Sequence, residues 1–93
     1  MIKVNEYFDG NVKSMALENE DGKATVGVMA AGEFEFGTST VEYMTVVSGS
    51  MTVLLPGETE WKTYVPFQTF VVPANQKFRL KLAGSAAYRC IYK

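Results

Sequence analysis

Between Lys77 and Leu82 the chain alternates without exception, basic at 77, 79 and 81 and apolar at 78, 80 and 82. A period of two marks a strand with one face on a core and the other in water. Residues 33–36 alternate in the same way, with Phe34 and Phe36 on one face and Glu33 and Glu35 on the other. Two β-rich runs, 41–47 and 51–55, flank Ser48-Gly49-Ser50. Gly49 can take a positive φ that its neighbours resist, so this stretch predicts a hairpin. Asp9-Gly10-Asn11 follows Asn5–Phe8 as a turn, and Asp21-Gly22 turns the chain between strands at 12–18 and 24–30. Gly27 inside the second of these predicts a close approach on its side of the strand. Further strands are predicted at 61–65, 68–72 and 86–92, punctuated by Pro56-Gly57, Pro66, Pro73-Ala74-Asn75 and Ala83-Gly84-Ser85. In the last of them Tyr88, Cys90 and Tyr92 share one face, and Arg89 and Ile91 the other. No window reads as a helix, and turn signals recur every 8–12 residues or so, the pattern of an all-β sandwich or barrel.

Length narrows this to one domain over residues 1–93, able to bury roughly 60–65% of its unfolded surface. A hydrophobic fraction of 47%, with six Phe and five Tyr, excludes a disordered chain. Nine basic residues against ten acidic ones leave no overall field to recruit a polyanion, so neither a nucleic-acid polymer nor a membrane surface is an expected partner. Cys90 is the single cysteine, which rules out an intrachain disulfide and points to the cytoplasm. No run approaches the roughly 18 apolar residues of a spanning helix, and the opening residues lack a signal-peptide core.

The count that changes the chemistry most is zero histidines. A His-based triad, a His-ligated metal and a His proton shuttle are all excluded. Reactivity falls to carboxylate, Arg, Lys, Tyr, Ser, Thr, the one thiol or the backbone. Glu42 draws attention first, because a carboxylate in an apolar strand must face water or find a partner that offsets its desolvation. Thr38, Ser39 and Thr40 precede it. Hydroxyls and a carboxylate together can hold sugar hydroxyls or a phosphate oxygen, and they equally make an ordinary polar loop. Lys77, Arg79 and Lys81 read as a solvated face. Arg89, set in an apolar strand, is either the best anion fork in the chain or a surface residue on the outer side of the sheet. Most of the aromatic residues belong to the core, and Cys90 reads as a small buried hydrophobe.

The spacing of Glu42 and Gly49 resembles the end of the first cupin motif, and Phe-Val-Val-Pro-Ala-Asn, ending at Asn75, resembles the second. The motif histidines would fall near Phe36, Thr38 and Phe78, and Asn75 stands where a Gly is expected. A closer resemblance spans essentially the whole chain. Asn5-Glu6-Tyr7-Phe8, Val12-Lys13-Ser14, Thr25-Val26-Gly27-Val28-Met29, Gly32-Glu33-Phe34, Glu42 to Gly49, Val53 to Pro56, Phe70 to Pro73 and Cys90-Ile91-Tyr92 together resemble the pyrimidine/purine nucleoside phosphorylases, small single-domain cupins. In that family a basic residue often follows the cysteine, whereas here Arg89 precedes it and Ile91 follows.

The resemblance implies a metal-free, cupin-like jelly-roll barrel. It also implies an enzyme that cleaves purine and pyrimidine nucleosides with phosphate to free base and pentose 1-phosphate. The competing expectation is a non-catalytic small-molecule-binding or dimerisation cupin. Phosphorolysis asks for an anion site, a grip on the sugar and relief of the leaving group. The residues expected to meet these needs are Arg89 for phosphate, helped by Thr38 and Ser39, and Glu42 for the ribose hydroxyls and the positive charge that develops on the ring. Phe36, Tyr43, Met44 and Tyr88 are expected to shape the base pocket, whose stacking surfaces would accept either base class. No cofactor or metal is expected beyond inorganic phosphate as co-substrate. A homodimer is the assembly expected by analogy with cupins.

Overall fold

The computed structural model describes residues 1–93 as ten strands in two sheets. The strands are β1 (Val4–Tyr7), β2 (Val12–Asn19), β3 (Gly22–Met29), β4 (Gly32–Gly37), β5 (Glu42–Ser48), β6 (Met51–Leu54), β7 (Lys62–Tyr64), β8 (Thr69–Val72), β9 (Lys77–Leu82) and β10 (Ala86–Tyr92). The larger sheet runs β1-β2-β3-β10-β5-β8 and the smaller β4-β9-β6-β7, with every pairing antiparallel. Every strand expected from the sequence is present, with ends shifted by at most two residues.

The addition is β1. Its four residues are mostly exposed, so no apolar pattern marks them; pairing of Tyr7 with Val12 and of Asn5 with Ser14 makes them a strand. The turn after it places Phe8, Asp9 and Gly10 all at positive φ, 53°, 57° and 85°. A bulky residue resists that conformation. Packing offsets the resistance: the Phe8 ring lies 5.0 Å from Phe34 and 5.4 Å from Phe36, and Asn11 Nδ2 donates to the Phe8 carbonyl oxygen at 3.0 Å. The edge of the large sheet is thereby fastened to the edge of the small one.

The inward faces of the two sheets meet in one cluster of fifteen buried apolar side chains, with Val12, Val46, Met51, Val72 and Leu80 fully enclosed. On β9 the basic residues 77, 79 and 81 point out and Phe78, Leu80 and Leu82 point in, as the alternation requires. Outside, Lys81 Nζ sits 4.0 Å above the Trp61 ring and the Arg79 guanidinium 5.6 Å from it. Gly49 has φ +80°, and an added Cβ would stand 2.7 Å from the Ser85 carbonyl oxygen, so the β5–β6 turn needs glycine twice over. Asn75, in the place of the motif glycine, adopts φ 59°, a conformation that Asn tolerates better than most residues.

Candidate functional site

One cavity of about 190 Å³ opens between the sheets at the end where β5 begins and β10 finishes. Strand parity decides what faces it. On β5 the inward positions are Glu42 and Met44; on β10 they are Tyr88, Cys90 and Tyr92. Tyr7 and Ser14 close one side from β1 and β2, and Phe36 and Phe78, stacked at 5.9 Å, close the other. Gly27 makes room beneath Tyr88, since a Cβ there would lie 2.8 Å from the Tyr88 ring and hydroxyl.

Glu42 is the only carboxylate among the lining residues. Burial raises its pKa above the ordinary carboxylate value, and the Cys90 thiol, donating to Oε1 at 3.4 Å, offsets part of that rise. The thiol itself is pushed up, by burial first and by the adjacent Glu42 second, so Cys90 is a hydrogen-bond donor here and not a thiolate. Burial also pushes the Tyr88 hydroxyl up to about 12 and raises Tyr92, whose hydroxyl shares a 3.0 Å hydrogen bond with Thr25. Cys90, Tyr88 and Tyr92 are therefore neutral donors at pH 7. No wholly enclosed side-chain oxygen or nitrogen lacks a partner, so the spare capacity of Glu42 and Tyr88 is turned to the open part of the cavity. Such a site can grip hydroxyls and stack a flat ring.

A family model for pyrimidine/purine nucleoside phosphorylase matches residues 2–92. The chain belongs to the pyrimidine/purine nucleoside phosphorylase family. A Pseudomonas aeruginosa protein of that name is 59% identical over 93 residues, the whole of both chains. A crystal structure of a protein of unknown function from Vibrio parahaemolyticus superposes with a TM-score of 0.93 at 42% identity, covering 97% of this chain and 96% of that one. The fold is a cupin: an RmlC-like cupin from Shewanella frigidimarina superposes at TM-score 0.75 and 17% identity, covering 96% of this chain and 80% of that one.

The positions that the cupin motif histidines would occupy hold other side chains here. Phe36 and Phe78 stack on each other at two of the motif histidine positions. At the third, the Thr38 hydroxyl donates to the Pro73 carbonyl oxygen at 2.6 Å and accepts from the Gln76 amide at 3.1 Å. Nowhere do three Cys, Asp or Glu side chains converge as a ligand set.

Of the residues expected at the site, Glu42, Phe36, Met44 and Tyr88 come together around the cavity. Four do not. Thr38 is buried and its hydroxyl is committed to the 73–76 turn, which fastens the β4–β5 connection; Ser39 is exposed beside it. Tyr43 has the opposite parity from Glu42 and Met44, and its ring meets Lys93 on the outer face. Arg89 likewise has the opposite parity from Tyr88 and Cys90. It is exposed on the outer face of the large sheet, paired with Val26 and Thr45, and does not reach the cavity of its own chain. Period-two geometry permits nothing else for a residue between two inward neighbours.

Tyr7, Ser14, Cys90 and Tyr92 line the cavity without having been singled out as site residues. For Cys90 and Tyr92 the signal was available, because they share the face of Tyr88. For Ser14 it was misleading: Ser14 is buried while its apolar neighbour Met15 is half exposed.

Proposed function

We propose that this cavity performs phosphorolysis of purine and pyrimidine nucleosides. The observation that carries the reading is a single half-buried carboxylate, Glu42, walled by neutral hydroxyls and stacking rings, in a chain matched end to end by its family. In the reaction a phosphate oxygen bonds to the anomeric carbon as the glycosidic C–N bond breaks. The bonding pair leaves with the base, whose nitrogen takes up the proton that the attacking phosphate gives up. Glu42 accepts from the ribose hydroxyls and, ionised, lies beside the positive charge that develops on the ring. Phe36, stacked on Phe78, and the flexible Met44 offer the base surface rather than directed donors. Where the base meets stacking surface instead of directed donors, purine and pyrimidine are both accepted.

Incubation with uridine or adenosine, with and without inorganic phosphate, tests the reading by chromatography. Free base and pentose 1-phosphate appear only with phosphate. Release without phosphate would make the protein a hydrolase, and no release from any nucleoside would leave a binding protein.

Two further features belong to the same proposal. The buried, unpaired thiol of Cys90 suits a reducing, cytoplasmic setting. A homodimer formed through the outer face of the large sheet would cover Met15, Val26, Val28, Val47 and Val71, which are 40–54% exposed on one surface around Arg89. Light scattering then gives twice the chain mass; a single chain mass at micromolar concentration would refute it.

A further inference from the structure

The cavity around Glu42 contains no cation, yet the proposed reaction consumes a phosphate dianion. Its volume of about 190 Å³ also falls short of the roughly 300–1,000 Å³ typical of ligand pockets, so nucleoside and phosphate together must extend beyond it. Of the basic residues on the rest of the surface, Lys62 and Lys77 are exposed on the small sheet and line neither this cavity nor the hollow beside it. Lys13 pairs with Glu6 at 3.5 Å, Lys81 and Arg79 lie against Trp61, Lys93 lies against Tyr43, and Arg89 is on the outer face.

A second hollow, of about 430 Å³, borders the first, and the two share Tyr92. Lys3, at the start of the chain, and Lys23 and Thr25, on alternate positions of β3, face it together. Glu18 stands opposite Lys23 in the β2–β3 register and also lines the hollow, so its basic side chains outnumber its acidic one by two to one. Tyr92 is opposite Glu42 in the β10–β5 register, and its hydroxyl meets that of Thr25 at 3.0 Å. One side chain therefore separates the two lysines from the carboxylate.

We infer that inorganic phosphate binds in this second hollow, on Lys3 and Lys23, with the Thr25 and Tyr92 hydroxyls at its inner border, and meets the anomeric carbon of a nucleoside held at Glu42 by passing Tyr92. The inference rests on the phosphorolysis reading and locates its co-substrate. Both lysines are exposed, so neither is desolvated before the anion arrives, and their attraction for it weakens with salt.

Two measurements separate the site from the reaction. Inorganic phosphate titrated into the nucleoside-free protein, followed by amide shifts in NMR, perturbs Lys3 and the segment 23–25 in the wild type and not in the Lys3→Gln/Lys23→Gln double variant. In steady-state kinetics the double variant raises the KM for phosphate about tenfold or more, the scale of a lost charge-assisted hydrogen bond, and leaves the KM for nucleoside within about twofold. Lys23→Arg alone, which keeps the charge, leaves the KM for phosphate within about twofold of wild type. Shifts confined to other residues, or an unchanged phosphate KM in an active double variant, would overturn this site while phosphorolysis stands. Wild-type protein without phosphate-dependent turnover would overturn the reaction, and the amide shifts would then decide the phosphate site alone.

Discussion

Glu42→Gln lowers nucleoside turnover by about 10²-fold or more and at the same time raises the thermal midpoint at pH 7. The loss follows from removing a charge placed beside a ring that becomes positive only in the transition state, so kcat falls more than KM changes. The gain follows from the raised pKa. A carboxyl whose pKa is higher folded than unfolded binds its proton more tightly in the folded chain. Its favourable contribution is complete below the unfolded value and is lost as pH rises through the folded one. Gln abolishes that loss, so the variant is the more stable protein at pH 7, and the difference vanishes at acid pH below both values. The same shift displaces the acid limb of the wild-type kcat/KM profile above the ordinary carboxylate range. Rates near wild type in Glu42→Gln would remove this carboxylate from the site, whatever its environment.

Gly27→Ala unsettles fold and cavity together. The added Cβ would stand 2.6 Å from the Lys13 carbonyl oxygen and 2.8 Å from the Tyr88 ring and hydroxyl. The carbonyl belongs to the neighbouring strand and cannot retreat without loosening the β2–β3 ladder, whereas the ring can move only into the cavity. Overpacking of this kind costs roughly 1–3 kcal/mol, a sizeable share of a small domain's stability. Urea denaturation reads the loss, and a raised KM for nucleoside reads the displaced ring. A stability within about 0.5 kcal/mol of wild type, the range of an ordinary surface substitution, would contradict the close approach.

The alternation in 77–82 and 33–36, the glycine at 49 and the spacing of turns were enough to lay out most of the ladder. They state a local requirement that the tertiary structure happens to share. Asn75 was readable as a turn residue for the same reason. The site was less legible because its residues are chosen by face rather than by type. Arg89 and Thr38 have attractive functional groups, but one sits on the wrong parity and the other spends its hydroxyl on a turn. Tyr7 was hidden more deeply. Its strand carries no apolar pattern of its own and exists through its pairing with residues 12–15. The two lysines of the second hollow lie far apart in the chain and meet only once β1 and β3 flank β2.

Trp61, clasped by Lys81 and Arg79 on the outside of the small sheet, is the chain's one tryptophan and takes no part in either hollow. Its emission is thus a clean optical gauge of whether the small sheet is intact. Ligand occupancy has to be followed through the nucleobase's own ultraviolet spectrum instead.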